Sequence, residues 1–139
     1  MRFCITILFV LVLSASVEGA MFTQEQWESQ SVPYNIQFRV VIVDVTAYAP
    51  LDPNAVRGVC YSGDPTITAS GARVVPGITA AAGSSIPFGT KVWIEGIGWR
   101  TVQDRGGMIS DRHIDIVMTS RSSALRFGRV RNVIAIFWY

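Results

Sequence analysis

Histidine, cysteine and lysine are scarce in this 139-residue chain, which has one histidine and two cysteines. Eleven of its twelve basic residues are arginine, and Lys91 is the one lysine. So few histidines and cysteines exclude a conventional transition-metal site. The chain also lacks a zinc-ligand spacing, a phosphate-binding loop and a dinucleotide-binding fingerprint. We therefore expect neither a metal nor a cofactor.

Charge is sparse as well. Charged residues make up 16% of the chain, below the usual quarter, and the formal net charge is +2. This balance excludes a strongly basic nucleic-acid-binding protein. The basic excess lies late, at Arg121, Arg126, Arg129 and Arg131. Such a cluster indicates either a solvated charged surface or a surface that attracts an anionic polymer.

The start of the chain predicts export. Residues 1–20 have the features of a secretory signal peptide, with Arg2 before the apolar run Ile5–Leu13. The run is too short for a comfortable transmembrane helix, although an uncleaved N-terminal anchor is the alternative. Residues 21–37 are predicted to be a linker or N-terminal extension, and residues 38–139 the main domain. The protein is expected to be secreted, periplasmic or cell-wall associated.

Cysteine usage argues against a disulfide scaffold. Cys4 would leave with the signal peptide, so Cys60 would have no intrachain partner. Burial is the ordinary explanation for such a free thiol. A nucleophilic pair with His113 is a weaker alternative.

Short alternating segments rich in valine and isoleucine predict strands. A Gly-Ile-Gly turn at residues 96–98 predicts a hairpin, whereas residues 50–65 are predicted to be a loop. Ser120 is expected to cap a short helix that ends at Gly128. Six or seven short strands with one small helix predict an all-β, closed or nearly closed barrel. The main predicted strands are 37–49, 91–95, 99–104, 113–118 and 130–138. A short polar strand or extended segment is predicted at 66–70, and two brief extended pieces are predicted at 73–75 and 78–81.

Two carboxylates, Asp104 and Asp115, lie on what are predicted to be adjacent strands joined by the turn Gly106-Gly107. Alternation places Asp115 on the outer or groove face, while the flanking isoleucines fill the core. Partial burial and a second carboxylate would raise the pKa of Asp115, as an acid catalyst requires. Alternatively, Asp104 caps the glycine turn and Asp115 makes a structural hydrogen bond. The spacing favours neither.

Several polar and aromatic residues are candidates for binding. The Gly106-Gly107 turn permits positive φ and close approach of a ligand, or is simply a tight connection. The hydroxyls of Thr66, Thr68 and Ser70 either line a sugar-binding groove or hydrate an exposed edge. Four aromatic residues are candidates for stacking on sugars or for the core: Tyr48, Phe88, Trp93 and Trp99.

A series of motifs covers roughly residues 40–137 in a fixed order. They are Val45-Thr46-Ala47-Tyr48, Gly63-Asp64-Pro65, Thr68-Ala69-Ser70-Gly71, Ile86-Pro87-Phe88-Gly89-Thr90-Lys91-Val92, Asp104-Arg105-Gly106-Gly107, Ile114-Asp115 and Ala124-Leu125-Arg126-Phe127-Gly128. This order resembles the three-aspartate (3D) domain, the catalytic part of membrane-bound lytic transglycosylase A and of related small cell-wall proteins.

The resemblance implies a six-stranded double-psi β-barrel that acts on peptidoglycan glycan strands. It implies cleavage of the β-1,4 bond between N-acetylmuramic acid and N-acetylglucosamine to give 1,6-anhydro ends, without metal or cofactor. Asp115 would be the general acid/base, and Asp104 its neighbour. Thr46 and Lys91 fall at motif positions that would line the groove.

One departure from the family pattern is Ala82, which stands where many members have an aspartate. It keeps open the alternative of a non-catalytic glycan-binding or wall-loosening module. A separate alternative is an inverting glycoside hydrolase on the same barrel, with Asp104 as its base and Asp115 as its acid. Nucleic acid is not an expected partner, and a membrane tether is expected only through an uncleaved N-terminal segment. The oligomeric state is left open.

Overall fold

The computed structural model describes residues 37–139. The predicted signal peptide or anchor (1–20), Cys4 and nearly all of the predicted linker (21–37) lie outside the described residues. Those assignments stay predictions.

The described residues form a closed barrel of six strands with one short helix. Around the barrel, the strands follow the order β1-β5-β2-β4-β3-β6. This confirms the predicted all-β barrel. In the part of the chain that the structure describes, no helix is long and apolar enough to cross a membrane. The elements are β1 Phe38–Tyr48, β2 Thr79–Ala81, β3 Lys91–Ile94, β4 Gly98–Asp104, β5 His113–Val117, α1 Arg121–Phe127 and β6 Val130–Trp138.

The barrel combines parallel and antiparallel pairs. β1 runs parallel to β5, and β2 runs parallel to β4. The remaining neighbours are antiparallel, including the predicted β3–β4 hairpin. Its turn needs glycine because Gly96 has φ 71° and Gly98 has φ 91°.

The core consists mainly of side chains that point inward from the strands, at about every second position. On β5, Ile114 and Ile116 are fully buried, whereas the alternate residues His113 and Asp115 remain partly exposed. Burying one such aliphatic side chain contributes about 1.5–3 kcal/mol to stability. The core also includes Val43, Val45, Ala80, Ala82, Ile86, Val92, Ile94, Val102, Val133, Ala135 and Phe137.

The helix has the ends that the sequence predicts. Ser120 has extended backbone and its side chain accepts a hydrogen bond from the Ser123 amide. Gly128, with φ 63°, ends the helix, and its amide donates to the Ala124 carbonyl.

A register shift in β4 decides where Asp104 points. Ala80 pairs with Val102, but the next residue, Ala81, pairs with Asp104, so Gln103 is an extra residue. Strict alternation from the buried Val102 would turn the Asp104 side chain toward the core. The bulge instead turns it outward, to the same side as Ala81.

The strand predicted at residues 66–70 is largely a turn. Its one ladder contact is an isolated bridge between Ile67 and Arg73. Asp64 explains this difference because its Oδ1 accepts hydrogen bonds from both the amide and the hydroxyl of Thr66. Such local bonds compete with strand pairing.

Candidate functional site

Asp104 and Asp115 line one cavity of about 440 Å³ on the outside of the barrel. One wall is the loop of residues 58–69, and the other contains the outward-facing residues near the ends of the strands. Four of the predicted binding residues line the same cavity: Tyr48, Thr68, Gly106 and Gly107.

Asp115 is largely buried and sparsely hydrogen-bonded. Its Oδ1 accepts a hydrogen bond of 2.8 Å from the Thr46 hydroxyl, the one side-chain hydrogen bond found for this carboxylate among residues 37–139. Burial raises the pKa of Asp115 above its usual value, and the negative charge of Asp104 raises it further. The Thr46 hydrogen bond and the charges of His113 and Arg129 act in the opposite direction. The net direction agrees with the expectation for an acid catalyst.

In Asp104, in contrast, both carboxylate oxygens accept hydrogen bonds. Its Oδ2 accepts a hydrogen bond from the Tyr48 hydroxyl. Its Oδ1 accepts from the amides of Ala69 and Arg105, both at 2.9 Å. The bond from Arg105 caps the start of the glycine turn, and the bond from Ala69 fixes one wall of the cavity. Asp104 therefore combines a structural role with a place in the cavity.

Tyr48 links the end of β1 to Asp104. Burial is the main reason that the pKa of its phenol lies far above the usual value, followed by the hydrogen bond to Asp104. The phenol therefore keeps its proton and remains a donor to Asp104. Tyr48 lines the same cavity as both aspartates.

Asp104 and Asp115 do not lie on adjacent strands, so that prediction is wrong. β2 lies between β4 and β5, and Ala81 is the Cα partner of both aspartates. Their Cα atoms are therefore two strand spacings apart, or about 9–10 Å. The sequence predicted a brief extended piece at residues 78–81, which contains β2, but not its place between the two strands that carry the aspartates. The small Ala81 side chain leaves space between the two carboxylates.

The glycine turn lines the cavity, but not for the predicted reason. Neither Gly106 nor Gly107 has a positive φ. A Cβ on Gly106 would lie 2.6 Å from Cγ1 of Ile109, so close packing requires glycine there. A Cβ on Gly107 would meet nothing within 4 Å.

Three of the predicted groove residues are not part of the cavity lining. Thr46 contacts Asp115 from beside the cavity. The Ser70 hydroxyl lies 3.0 Å from that of Thr68, within the loop. Lys91 lies in a separate cavity on β3 and donates a 2.8 Å hydrogen bond to Thr101. Lys91 is the register partner of Thr101 on β4, and it is absent from the lining of the cavity that holds the aspartates.

Of the four candidate stacking residues, Tyr48 alone lines the cavity with the aspartates. Trp99 packs against Trp138, with ring centroids 4.9 Å apart, and lines the cavity beside Lys91. Phe88 lies under the guanidinium of Arg105, 3.9 Å from its ring centroid.

Cys60 and His113 lie near the aspartates, although the sequence analysis offered them only as an alternative nucleophilic pair. Cys60 is half-buried and lines their cavity beside Tyr61, rather than lying in the core. His113 does not pair with Cys60, because its Nε2 lies 2.9 Å from the Thr46 hydroxyl oxygen. Alternation on β5 placed His113 on the Asp115 face, but only the β1–β5 pairing brings Thr46 to both.

Two further predictions concern charges. Arg129 and Arg131 each lie 3.3 Å from Asp44 Oδ2 at the surface, which agrees with a solvated charged face. Ala82, at the position of the missing family aspartate, belongs to the hydrophobic core. In this chain the cavity-facing neighbour is Ala81.

Comparison with known proteins finds a family match and a similar bacterial protein. Residues 78–138 match the 3D domain. Over 86 residues the chain is 35% identical to the cell wall-binding protein YocH of Bacillus subtilis (strain 168), covering 62% of this chain and 28% of YocH.

Two solved structures of MltA from Escherichia coli are also similar, each at 22% identity. Their TM-scores are 0.45 and 0.44, with 55% and 52% of this chain covered. One is described as revealing a unique lytic transglycosylase fold. The alignments cover 28% and 26% of MltA, so the chain spans about a quarter of the length of these relatives.

Proposed function

We propose that the protein is a peptidoglycan lytic transglycosylase, starting from the match of residues 78–138 to the 3D domain. It cleaves the β-1,4 bond between N-acetylmuramic acid and N-acetylglucosamine. The observation that carries the proposal is Asp115: a carboxyl group in an open cavity whose pKa is raised by burial. A raised pKa keeps the proton that a general acid must deliver.

The first step is proton donation. Protonated Asp115 gives its proton to the glycosidic oxygen as the C1–O bond breaks and oxocarbenium character develops at C1 of the muramyl residue. The bond electrons leave with the glycosidic oxygen, which becomes a hydroxyl group. Asp115 is left as a carboxylate.

The second step returns the proton. The Asp115 carboxylate removes the proton of the muramyl C6 hydroxyl while that oxygen attacks C1 of the same sugar. The product is a 1,6-anhydro ring, and no water is consumed. One carboxyl group suffices because the nucleophile is intramolecular and already close to C1.

The hydrogen bonds of Asp104 favour this reaction over hydrolysis. An inverting hydrolase would need Asp104 as a general base toward water. Yet Oδ1 of Asp104 already accepts two amide hydrogens, and Oδ2 accepts the Tyr48 hydroxyl hydrogen. In our proposal Asp104 is instead a fixed negative charge that favours the protonated form of Asp115.

Mass analysis of digested peptidoglycan tests this proposal. Wild-type protein should release muropeptides one water lighter than the hydrolytic products. The Asp115→Asn variant should stay folded and lose roughly 10²–10⁴-fold in rate, the usual contribution of general acid/base catalysis. Glu95 is an exposed carboxylate in the β3–β4 turn, so Glu95→Gln is the matched control and should cleave normally.

Two results would contradict the proposal. Reducing-end products with incorporated solvent oxygen would indicate hydrolysis. A folded Asp115→Asn variant that cleaves at the wild-type rate would remove Asp115 from the reaction.

A second candidate function is glycan binding without cleavage. It is favoured by the relative YocH, whose name describes a cell wall-binding protein. Sedimentation with purified peptidoglycan, followed by mass analysis of the supernatant, separates the two functions. Binding with no released muropeptide would favour the binding module.

A further inference from the structure

His113 and Asp115 lie on the same face of β5, and β1 runs parallel beside them. In the register of this pair, Thr46 is the partner of Asp115, and Asp44 is the partner of His113. All four side chains therefore point to the outside of the barrel. The Thr46 hydroxyl lies between the imidazole and the carboxylate.

The two contacts of the Thr46 hydroxyl, with His113 and with Asp115, show where the hydrogen atoms lie. The Thr46 hydroxyl has one hydrogen, which it donates to Oδ1 of Asp115 at 2.8 Å. The Thr46 oxygen must then act as acceptor toward Nε2 of His113 at 2.9 Å. Nε2 therefore carries a hydrogen, as it does in the Nε2 tautomer and in the imidazolium ion.

We propose that His113 is a positioning residue that acts on Asp115 through Thr46. By donating from Nε2, His113 directs the Thr46 hydrogen onto Oδ1 and leaves Oδ2 as the atom that carries the proton to and from substrate. This inference rests on the proposed function, since it assigns a role within the same acid/base reaction.

The groups around Asp115 act on its pKa in both directions. Asp104 on β4 and the burial of the site favour the protonated form of Asp115. His113 on β5, the Thr46 hydroxyl on β1 and Arg129 before β6 favour the carboxylate. Tyr48, which also faces the cavity, remains a neutral donor to Asp104.

The other charged groups near His113 form ion pairs with one another. Asp44, beside His113 in the register, accepts hydrogen bonds from the Arg129 and Arg131 side chains. An acid/base must both release its proton and regain it afterwards. His113 and Thr46 supply the stabilisation of the carboxylate that the burial of Asp115 removes.

Carbon-13 NMR titration of the Asp115 carboxyl group in the full chain tests the positioning role directly. The resonance is assigned by its loss in Asp115→Asn. In Thr46→Val the titration midpoint should move upward, because a hydrogen bond to the carboxylate is lost. Thr46→Ser, which keeps the hydroxyl, should leave the midpoint near that of the wild type.

His113 variants complete this test. His113→Leu should also move the midpoint upward, while His113→Gln, which keeps an N–H donor, should move it less. Unchanged midpoints in folded Thr46→Val and His113→Leu proteins would overturn the proposal. The dispersed amide spectrum of each variant shows whether it is folded.

The pH profile of muropeptide release gives a second readout. Because the protonated form of Asp115 starts the reaction, the alkaline limb should move to higher pH in Thr46→Val. His113→Leu should lose roughly 10- to 100-fold in kcat with little change in KM, since the carboxyl group is misoriented. An unchanged limb and kcat would contradict the positioning role.

Failure of the proposed function can be distinguished from failure of the positioning role. A wild-type protein that releases no 1,6-anhydro product would refute the proposed function, while the NMR midpoints still report on the hydrogen-bond chain. Unchanged midpoints in an active enzyme would refute the positioning role alone.

Discussion

At the residue scale, the two aspartates differ in the hydrogen bonds that they accept. Asp104 accepts from Tyr48, Ala69 and Arg105, whereas Asp115 accepts from Thr46. A carboxylate with several donors holds its surroundings in place, and one with few can exchange a proton. The difference supports separate roles: Asp104 for architecture and fixed charge, and Asp115 for proton transfer.

The raised pKa of Asp115 predicts how stability depends on pH. The folded pKa lies above the ordinary 3.8, so the folded protein holds this proton more tightly than the unfolded chain does. The resulting stabilisation is complete below pH 3.8 and is lost as pH rises through the folded pKa. Asp115→Asn keeps an acceptor for Thr46 and avoids this loss.

Urea denaturation at several pH values checks this prediction. The free energy of unfolding of Asp115→Asn minus that of the wild type should increase with pH above 3.8. It should level off once Asp115 is ionised in the folded protein. A difference that stays constant over this range would mean that burial does not raise the pKa.

At the element scale, the site depends on two irregular features. The three-residue β2 separates β4 from β5, and the extra residue Gln103 turns Asp104 outward. The regular strands β1, β5 and β6 were recognisable in the sequence because many buried residues alternate along them. A three-residue strand provides too few residues for such a pattern.

The turn after β4 offers a matched pair of substitutions. Gly106→Ala should destabilise the protein by about 1–3 kcal/mol, because the new Cβ would overlap Ile109. Gly107→Ala should change stability by less than about 0.5 kcal/mol, since its φ is not positive and the space is open. Thermal or urea unfolding of both variants measures the difference. Equal effects would show that close packing at Ile109 is not what requires glycine.

At the scale of the whole molecule, closure of the barrel creates the cavity. The cavity residues Tyr48, Asp115, Ala81 and Asp104 come from four strands whose order in the barrel, β1-β5-β2-β4, differs from their order in the chain. Their arrangement therefore requires the closed sheet. The core that holds the sheet closed also fixes the site.

This dependence predicts the effect of a core substitution far from the cavity. Phe137 is fully buried on β6, and Phe137→Ala should lower the free energy of unfolding by about 3–5 kcal/mol. Ile42→Ala, on the exposed face of β1, should cost much less. Chemical denaturation provides the comparison. Similar losses for the two variants would show that the described core does not carry the stability of the barrel.

The sequence by itself determined the strand and helix segments with a strong local signal. It also determined the outward position of Asp115, because alternation and capping are properties of neighbouring residues. The motif order predicted the 3D domain that residues 78–138 match.

Only the tertiary structure decided which residues meet. It inserted β2 between the two aspartate-bearing strands, moved Lys91 to another cavity and placed Thr46 between His113 and Asp115. These contacts depend on the pairing of strands that are distant in the chain. Closure of the barrel sets that pairing, and no local sequence pattern predicts it.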